Sequence, residues 1–294
     1  MFDDVVKNEY GFYELKKKPS SEELGDYYQN QYYQMAKGSY EKEYSKEEIE
    51  YFFNKVGQNY EVLTKLIDIS KIEKPSFIDI GCGEGWALNF FKDKGWNITG
   101  LDFSSYGCSK FNNHCCTDLI TGNIYESIDT LIKKNYKYNC ILLSNILEHV
   151  LDPAGLLLSC SRLIDSKGIL IIQVPNDFSE FQQFLYERDY ISRPYWVAIP
   201  DHVSYFNLNT LITFCMKSGW VCEYYMADYP IEVNLINENT NYSRDSFRGK
   251  SCHNARVVME NYIDKVSRTK TTELYKILAE VGLGRQIIGF FRSK

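Results

Sequence analysis

The sequence predicts an α/β protein with a doubly wound, mainly parallel sheet, and three observations predict it. From residue 76 onward, short apolar runs alternate with segments whose apolar residues recur at helical spacing. The first run passes directly into a glycine-rich turn, 81–85, before a helix begins. The second run ends in an acidic residue, Asp102. In a parallel sheet these features meet at the carboxyl ends of the strands, which predicts a nucleotide-shaped pocket there.

Element boundaries follow from the apolar runs and from the glycines and prolines between them. The predicted strands, in chain order, are 77–80, 97–101, 115–119, 138–143, 169–174, 220–226 and 286–291. The predicted helices are 47–69, 86–94, 104–113, 154–163, 208–217 and 255–281. This alternation of strands and helices predicts helices on both faces of the sheet.

Three regions of the chain differ in pattern. Residues 1–70 are rich in tyrosine and lack the strand–helix alternation, so we predict a helical lid there. In this lid Tyr33 would cover the site, with ordinary helix packing as the alternative. Residues 71–227 are predicted to form the ligand-binding core. Residues 228–294 are predicted to form a helical insertion beside the pocket, followed by the last strand.

Composition excludes several classes of protein. The net charge of −6 argues against a broad nucleic-acid interface, which needs a basic face. No apolar run is long enough for a membrane-spanning helix, and the acidic amino terminus lacks the pattern of a signal peptide. The nine cysteines contain no C-x-x-C pair, so we expect reduced thiols in a cytoplasmic protein.

Position 86 decides which nucleotide the turn suits. A dinucleotide fingerprint has a small residue at this position, whereas the chain has Trp86, which disfavours a dehydrogenase. The D-x-G-x-G-x-G pattern of residues 79–85 instead resembles motif I of the class I S-adenosylmethionine-dependent methyltransferases. Three later blocks, 143–153, 168–176 and 201–206, resemble those of the ubiquinone-biosynthesis O-methyltransferase type.

The resemblance implies a seven-stranded sheet whose final, antiparallel strand lies between the fifth and sixth strands. It implies S-adenosylmethionine as cofactor, S-adenosylhomocysteine as product, and a small-molecule hydroxyl as methyl acceptor. More loosely, the flanks resemble methyltransferases of bacterial sugar and natural-product pathways. A sugar, a nucleotide-sugar or a natural-product intermediate is therefore the expected acceptor, and a homodimer remains open.

The same resemblance implies roles for individual residues around the cofactor. The methionine end would be held by Asp79, Gly81, Cys82, Gly83 and Gly85. The ribose would be held by Asp102, and the adenine would contact Phe103, Asn123 and Ile124. The sulfonium would lie near Ser144 and Asn145.

Two histidines are the candidate general bases, because free imidazole titrates near neutral pH. His202 is favoured because it should face the acceptor, whereas His149 should lie nearer the cofactor. For both residues a purely structural role is the alternative. The side chains expected to contact the acceptor are Tyr33, Tyr205, Tyr242 and Arg256. Ordinary packing is the alternative for Tyr33 and Tyr242, and a charge on a helix surface is the alternative for Arg256.

Other functions stay open at this stage. The acceptor could be a peptide or protein carboxylate or an amine, and a carboxylate would need no strong base. The chain could also be a cofactor-binding partner subunit without catalysis. We predict no metal. The alternative is Mg²⁺ held by Glu148 and Asp152, because Mg²⁺ prefers hard oxygen ligands.

Overall fold

The computed structural model of the chain describes residues 2–20, 23 and 43–294. The described strands are β1 Val5–Lys7, β2 Tyr13–Leu15, β3 Ser76–Ile80, β4 Asn97–Asp102, β5 Leu119–Thr121, β6 Tyr138–Ser144, β7 Ile164–Pro175, β8 Ser204–Tyr205, β9 Trp220–Ala227 and β10 Gln286–Ser293. Seven of them form one sheet with the order β5-β4-β3-β6-β7-β10-β9. The other three form a small sheet with the order β1-β2-β8.

The large sheet is parallel except at its last strand. Strand β3 pairs with β4 and β6 in parallel, and β5 and β7 extend the sheet in the same direction. Strand β10 pairs antiparallel with both β7 and β9. This topology confirms the predicted seven-stranded sheet and the predicted place of its final strand.

The predicted third strand is wrong in position. Most of 115–119 lies in a 3₁₀ helix, Asn113–Asp118, and β5 begins only at Leu119. Within this turn the backbone N–H of Cys115 donates to the carbonyl of Asn112 at 2.8 Å. The Cys115 side chain lies in the core. The hydrogen bond that forms the turn is local, and the apolar pattern alone does not reveal it.

Eight helices cover the sheet and its ends in the described part of the chain. They are α1 Lys46–Leu66, α2 Trp86–Asp93, α3 Tyr106–Phe111, α4 Ile124–Lys133, α5 Pro153–Leu163, α6 Glu180–Glu187, α7 Leu208–Lys217 and α8 Arg248–Glu280. Capping side chains explain where several begin. Ser45 and Glu48 form a capping box at α1, and Asp152 caps α5 just before its first-turn proline.

Apolar residues of the central strands divide between two cores, one on each face of the sheet. In β7, Ile169 belongs to one core and Leu170 to the other, because successive side chains of a strand point to opposite faces. Helices α4, α5 and α7 cover the first face, and helices α1, α2 and α8 cover the second. Both faces of the parallel sheet are therefore buried, as the sequence predicts.

The amino-terminal region is not wholly helical. Strands β1 and β2 form a hairpin, and β2 continues the pairing to β8, with Tyr13 opposite Tyr205. The ring of Tyr13 also stacks on Phe178 at 4.1 Å between centroids. The hairpin thus fastens the amino terminus to the chain that follows β7. Among the described residues of 1–70, α1 is helical as predicted, and a lid role for this region stays a prediction. Tyr33 lies outside the described residues.

The insertion between β9 and β10 has the predicted place. It contains a 3₁₀ helix, Ile231–Ile236, followed by α8, which begins at Arg248 rather than at residue 255. Helix α8 bends at Ser267, whose backbone is extended. Because α8 packs against α1 and β9, the insertion forms part of the core that covers one face of the sheet.

Two expectations drawn from composition concern the whole chain. None of the helices in the described ranges is both long and apolar enough to cross a bilayer. All nine cysteines are unpaired, as predicted. Most of them are buried among apolar side chains, where a thiol serves as a small hydrophobic group.

Candidate active site

Three glycines shape the turn between β3 and α2. Gly81, Gly83 and Gly85 have φ angles of 78°, 52° and 79°, in the left-handed region that other residues avoid. A Cβ atom at Gly81 would overlap the side chain of Ile146, and one at Gly85 would approach Cys108 Sγ to 2.9 Å. The turn therefore needs glycine at these positions. Between them Cys82 points inward, and burial raises the pKa of its thiol.

Asp102, at the end of β4, is bonded to the glycine turn. Its Oδ2 accepts a hydrogen bond from the backbone N–H of Gly83 at 2.8 Å, and its Oδ1 accepts one from Ser104 N–H at 3.0 Å. The sequence-predicted pair of turn and carboxylate is therefore in direct contact. The next residue, Phe103, is 39% exposed, so its ring is accessible to a planar ligand. The ribose and adenine roles of these residues stay predictions.

Asp79 lies in β3, buried beside Asp102. Its Oδ1 has no hydrogen-bond partner among the described residues. Burial raises the pKa of Asp79 to about 8, and the negative charge of Asp102 contributes to the rise. A buried carboxyl group with an unused oxygen can receive a cationic group from a ligand.

Glu84, inside the turn, is a site residue that the glycine pattern does not reveal. Its Oε1 accepts from Tyr44 Oη at 2.8 Å, and its Oε2 accepts from Trp86 Nε1 at 2.7 Å. Burial raises the pKa of Glu84, while these two hydrogen bonds oppose the rise. Trp86 also stacks on Phe52 of α1, with ring centroids 5.2 Å apart. Glu84 thus joins the turn to an aromatic wall contributed by α1 and α2.

The segment after β5 reaches the same edge of the sheet. The backbone N–H of Gly122 donates to the carbonyl of Asp102 at 3.0 Å. The Oδ1 of Asn123 accepts from Tyr125 N–H at 2.9 Å and so begins α4, while Ile124 is buried in the core. Asn123 therefore follows the residue that is bonded to Asp102, and it caps α4. Its contact with the adenine stays a prediction.

An amide chain crosses the edge of the sheet where β6 ends at Ser144. Asn145 has a positive φ of 53°, and its Oδ1 accepts from Gln286 Nε2 at 2.9 Å. The Oε1 of Gln286 in turn accepts from Gln173 Nε2. Because β10 is antiparallel, its first residue, Gln286, lies at the edge where the parallel strands β6 and β7 end. The sequence predicts Ser144 and Asn145 at the site but not the two glutamines.

The two candidate histidines come together although they are far apart in the sequence. Their ring centroids lie 4.9 Å apart and the rings are nearly perpendicular. The backbone carbonyl of Glu148 accepts from the N–H groups of Val203 and Ser204, at 2.8 Å and 3.0 Å, which holds the two segments together. One side-chain atom from each of Glu148, His149 and His202 lies within 4.8 Å of the others.

His149 is already engaged by two acidic residues. Its Nδ1 lies 2.8 Å from the carbonyl of Asp201 and 3.4 Å from the carboxylate of that residue, and its Nε2 lies 3.6 Å from Glu148 Oε1. Burial lowers the pKa of His149, but the charges of Glu148 and Asp201 outweigh it and raise the pKa to about 9. At neutral pH His149 is therefore a paired cation rather than a proton acceptor.

His202 faces a different carboxylate, that of Asp177, for which the sequence predicts no role. Nδ1 of His202 lies 3.7 Å from Asp177 Oδ2. The other oxygen of Asp177 accepts from Arg285 Nη1 at 3.2 Å, and the same Arg285 nitrogen lies 3.9 Å from Glu232 Oε1. Asp177 directly follows the block 168–176, and this position is the feature of the sequence that could have indicated a site residue. Arg285 and Glu232 belong to the insertion, where no motif marks them.

The predicted acceptor contacts lie in different environments. Tyr205 is buried, and its hydroxyl donates to the carbonyl of His202 at 2.9 Å, so it supports the histidine. Burial raises the pKa of Tyr242, which packs against the core around Trp196. Arg256 donates to Asp228 and Glu260 at 2.5 and 2.6 Å, and these buried pairs favour a structural role for it.

The donors near Glu148 do not suit the Mg²⁺ alternative. Asp152 Oδ1 accepts from Gly155 N–H at 2.9 Å, so this carboxylate serves as the cap of α5. The side chains that approach Glu148 are imidazoles, whereas Mg²⁺ prefers several oxygen ligands.

Comparisons with known proteins identify the family of the chain. A family model described as a methyltransferase domain matches residues 49–225, more than half of the chain. The ubiquinone biosynthesis O-methyltransferase of Nitrosomonas europaea is 28% identical over 113 residues, which are 37% of this chain and 47% of that protein. The protein of the same name from Coxiella burnetii is 29% identical over 110 residues, 37% of this chain and 46% of that protein.

The chain thus spans about half the length of the curated relatives it matches. Among solved structures, a SAM-dependent methyltransferase from Archaeoglobus fulgidus has a TM-score of 0.47 and 16% identity. That match covers 82% of this chain and 94% of the other.

Proposed function

Because the chain belongs to the methyltransferase-domain family, we propose that it transfers a methyl group from S-adenosylmethionine to a hydroxyl group of a small molecule. The observation that carries the proposal is the positive-φ glycine turn bonded to Asp102. Beside it lies Asp79, whose Oδ1 has no hydrogen-bond partner among the described residues. At this buried edge of the sheet, a ligand can come close to the glycine backbone, and two carboxyl groups are available to bind it.

The residues of this edge fit the cofactor. Asp79 would receive the ammonium group of the methionine end, because its buried Oδ1 has no partner among the described residues. Asp102 and Phe103 would hold the ribose and the adenine. When bound, S-adenosylmethionine supplies a methyl group that is already activated by a sulfonium. The protein then has to position the acceptor and remove its proton.

His202 is the base in this proposal. His149 is paired with Glu148 and Asp201, so its charge orders the loop and it is not available to accept a proton. His202 lies beside it, and its Nδ1 is 3.7 Å from Oδ2 of Asp177. The proton of the acceptor hydroxyl would pass to Nε2 of His202 as the oxygen forms its bond to the methyl carbon.

The choice of a hydroxyl acceptor draws support from the curated relatives, which are named O-methyltransferases. Among hydroxyl compounds we propose a sugar, a nucleotide-sugar or a natural-product intermediate. A cytoplasmic location remains part of this proposal.

The first experiment measures binding of S-adenosylhomocysteine by isothermal titration calorimetry. We expect micromolar binding to the wild type and at least about tenfold weaker binding to Asp102→Ala, because the variant loses the carboxylate at the turn. Absence of binding to a folded wild-type protein would reject the cofactor and favour a role as a non-catalytic subunit.

The second experiment measures release of S-adenosylhomocysteine from S-adenosylmethionine with a panel of hydroxylated small molecules. We expect His202→Ala to lower turnover by about 10²-fold or more, because it removes the general base. The matched control is His114→Ala, since His114 is exposed and contacts Asn89 away from the site. Equal turnover of the wild type and His202→Ala would point to a carboxylate acceptor, which needs no strong base.

A further inference from the structure

We propose that Asp177 is a positioning residue for His202, whose Nδ1 proton it accepts so that the lone pair of Nε2 faces the methyl acceptor. This inference rests on the proposed function, because that function gives His202 its role as base. The inference adds one residue, Asp177, to the proposed site. Neither the family pattern nor the sequence gives this residue a role.

The first observation is that two unsatisfied atoms face each other. Asp177 is 1% exposed, and its Oδ2 has no hydrogen-bond partner among the described residues. The same holds for His202 Nδ1, which lies 3.7 Å from that oxygen. Unpaired buried polar atoms are costly, so a small rotation that brings the two to about 2.8 Å is favourable. Hydrogen bonds in active sites are often long before the ligand binds and shorten in the complex.

The second observation is that the Asp177 carboxylate is held in one orientation. Its Oδ1 accepts from Arg285 Nη1 at 3.2 Å, which directs Oδ2 to the histidine. Its backbone N–H donates to the carbonyl of Phe206 at 2.7 Å. The preceding residue is also fixed, because Asn176 Nδ2 donates to the carbonyl of Gly284 at 3.1 Å. A carboxylate held from several sides can set the orientation of a neighbouring ring.

The third observation is that the other two carboxylates near His202 form their ion pairs with His149, although a Glu148 oxygen also lies within 4.8 Å of a His202 ring nitrogen. Glu148 directs its Oε1 to His149 Nε2 at 3.6 Å, and Asp201 contacts Nδ1 of the same ring. Tyr205 acts on the backbone of His202, since its hydroxyl donates to the carbonyl at 2.9 Å. Asp177 is therefore the carboxylate placed to choose the tautomer of His202.

The choice of tautomer matters for the transfer step. With the proton on Nδ1, Nε2 of neutral His202 has a lone pair for the hydroxyl proton of the acceptor. The acceptor oxygen forms its bond to the methyl carbon while the electron pair of the carbon–sulfur bond passes to sulfur. The proton of the hydroxyl goes to Nε2, which gives an imidazolium stabilised by the Asp177 carboxylate.

The test reads the tautomer of His202 directly. The chain has four histidines, so long-range ¹H–¹⁵N spectra of protein labelled at histidine resolve each ring, and His202→Gln identifies the signal. In the neutral ring of the wild type we expect the proton on Nδ1. A neutral His202 with its proton on Nε2 in the wild type would overturn the proposal, and this outcome needs no further variant.

Asp177→Asn gives the sharper comparison. Arg285 still needs an acceptor, so the amide oxygen will face it and the amide N–H₂ will face His202. We expect the neutral ring to move its proton to Nε2 and turnover to fall at least about tenfold, with KM for S-adenosylmethionine within about twofold of the wild type. An unchanged tautomer in a folded Asp177→Asn protein would reject the positioning role.

Two further measurements separate this inference from other failures. The matched control is Asp201→Asn, which removes a carboxylate that faces His149, and it should leave the proton of neutral His202 on Nδ1. Binding of S-adenosylhomocysteine is measured on the same samples. If the cofactor does not bind while the tautomer is as expected, the proposed function fails and the Asp177–His202 contact stands. If it binds and the tautomer is wrong, only the positioning role fails.

Discussion

At the scale of single residues, the site depends on carboxyl groups that are buried close to one another. Asp79 and Asp102 share one edge of the sheet, where burial favours the neutral form of Asp79 and the charge of Asp102 adds to the effect. Asp102 is bonded to the turn, whereas one oxygen of Asp79 is unpartnered among the described residues. A cationic group of a ligand beside Asp79 would instead favour its charged, deprotonated form.

This difference predicts that cofactor affinity depends on pH. In the unliganded protein the pKa of Asp79 is about 8, so the carboxyl is mostly protonated at pH 6. Binding of the ammonium group favours the carboxylate, so a proton must leave, and binding strengthens as pH rises. We expect the Kd of S-adenosylhomocysteine to fall about tenfold or more between pH 6 and pH 8, measured by calorimetry in two buffers with different ionisation enthalpies.

The control for this prediction is Asp79→Asn. The variant has no carboxyl at this position to titrate, so it should bind more weakly than the wild type at pH 8 and lose most of the pH dependence. A wild-type affinity that stays constant across the range would contradict the assignment of Asp79 to the ammonium group.

Sequence patterns identify some of these residues and not others, for a physical reason. Asp79 lies in β3, Gly81 directly follows that strand, and Asp102 ends the neighbouring parallel strand β4. A linear pattern can express this spacing. Asp177 and Arg285 meet only because the antiparallel β10 brings residue 285 to the end of β7. A contact of that kind depends on strand order and has no local signature.

At the scale of elements, the glycine turn is fitted to the loop that follows β6. Gly81 has a φ of 78°, and an added methyl group would overlap Ile146. The turn and the loop after β6 therefore pack closely against each other. A change in either should alter the shape of the predicted cofactor site and weaken binding.

Gly81→Ala tests this fit. We expect a loss of about 2–4 kcal/mol in the free energy of unfolding, from backbone strain together with overpacking, and much weaker binding of S-adenosylhomocysteine. The matched control is Gly95→Ala, because Gly95 has a φ of 80° and open space around its Cβ position. Urea unfolding should show the smaller loss of about 1–2 kcal/mol for the control. Equal losses in the two variants would mean that the overlap with Ile146 has no consequence.

Prediction at this scale is best where elements are long and buried. The strands of the parallel core have continuous apolar runs, and they are found close to their predicted positions. The strands β1, β2 and β8 have only two or three residues each, too few for an alternating pattern to be recognised. Helices α4 and α6 are likewise not predicted, although Asn123 and Ser179 are ordinary capping residues.

At the scale of the whole molecule, a buried ionic network joins the insertion to the sheet and to α1. Asp228 Oδ2 accepts from Lys55 Nζ at 3.0 Å and from Arg256 Nη2 at 2.5 Å, and its Oδ1 accepts from Gln286 N–H at 2.8 Å. Glu260 accepts from Arg256 Nε at 2.6 Å. Two cations thus balance two carboxylates at the junction of α1, α8, β9 and β10.

Removing one charge from this network should strongly lower the free energy of unfolding. Asp228→Asn leaves Lys55 and Arg256 buried with a single carboxylate, so we expect a loss of about 3–5 kcal/mol in the free energy of unfolding. The matched control is Asp68→Asn, since Asp68 pairs with Lys71 at the surface and should cost less than about 1 kcal/mol. Urea unfolding measures both. A loss for Asp228→Asn as small as that of the control would show that the network does not hold the insertion in place.

The amide chain along the edge of the sheet has a directional consequence. Gln173 donates to Gln286, and Gln286 donates to Asn145, so the carbonyl end of the Asn145 amide is occupied and its N–H₂ end is what it offers to a ligand. The orientation of the Asn145 amide, which is predicted to lie near the sulfonium, is thus set by two side chains on other strands. An atom of the bound molecule that carries a lone pair, including a hydroxyl oxygen, can accept a hydrogen bond there, whereas a group that only donates cannot. Replacing Gln173 or Gln286 would remove the bond that holds the Asn145 amide in this orientation and so would weaken the preference.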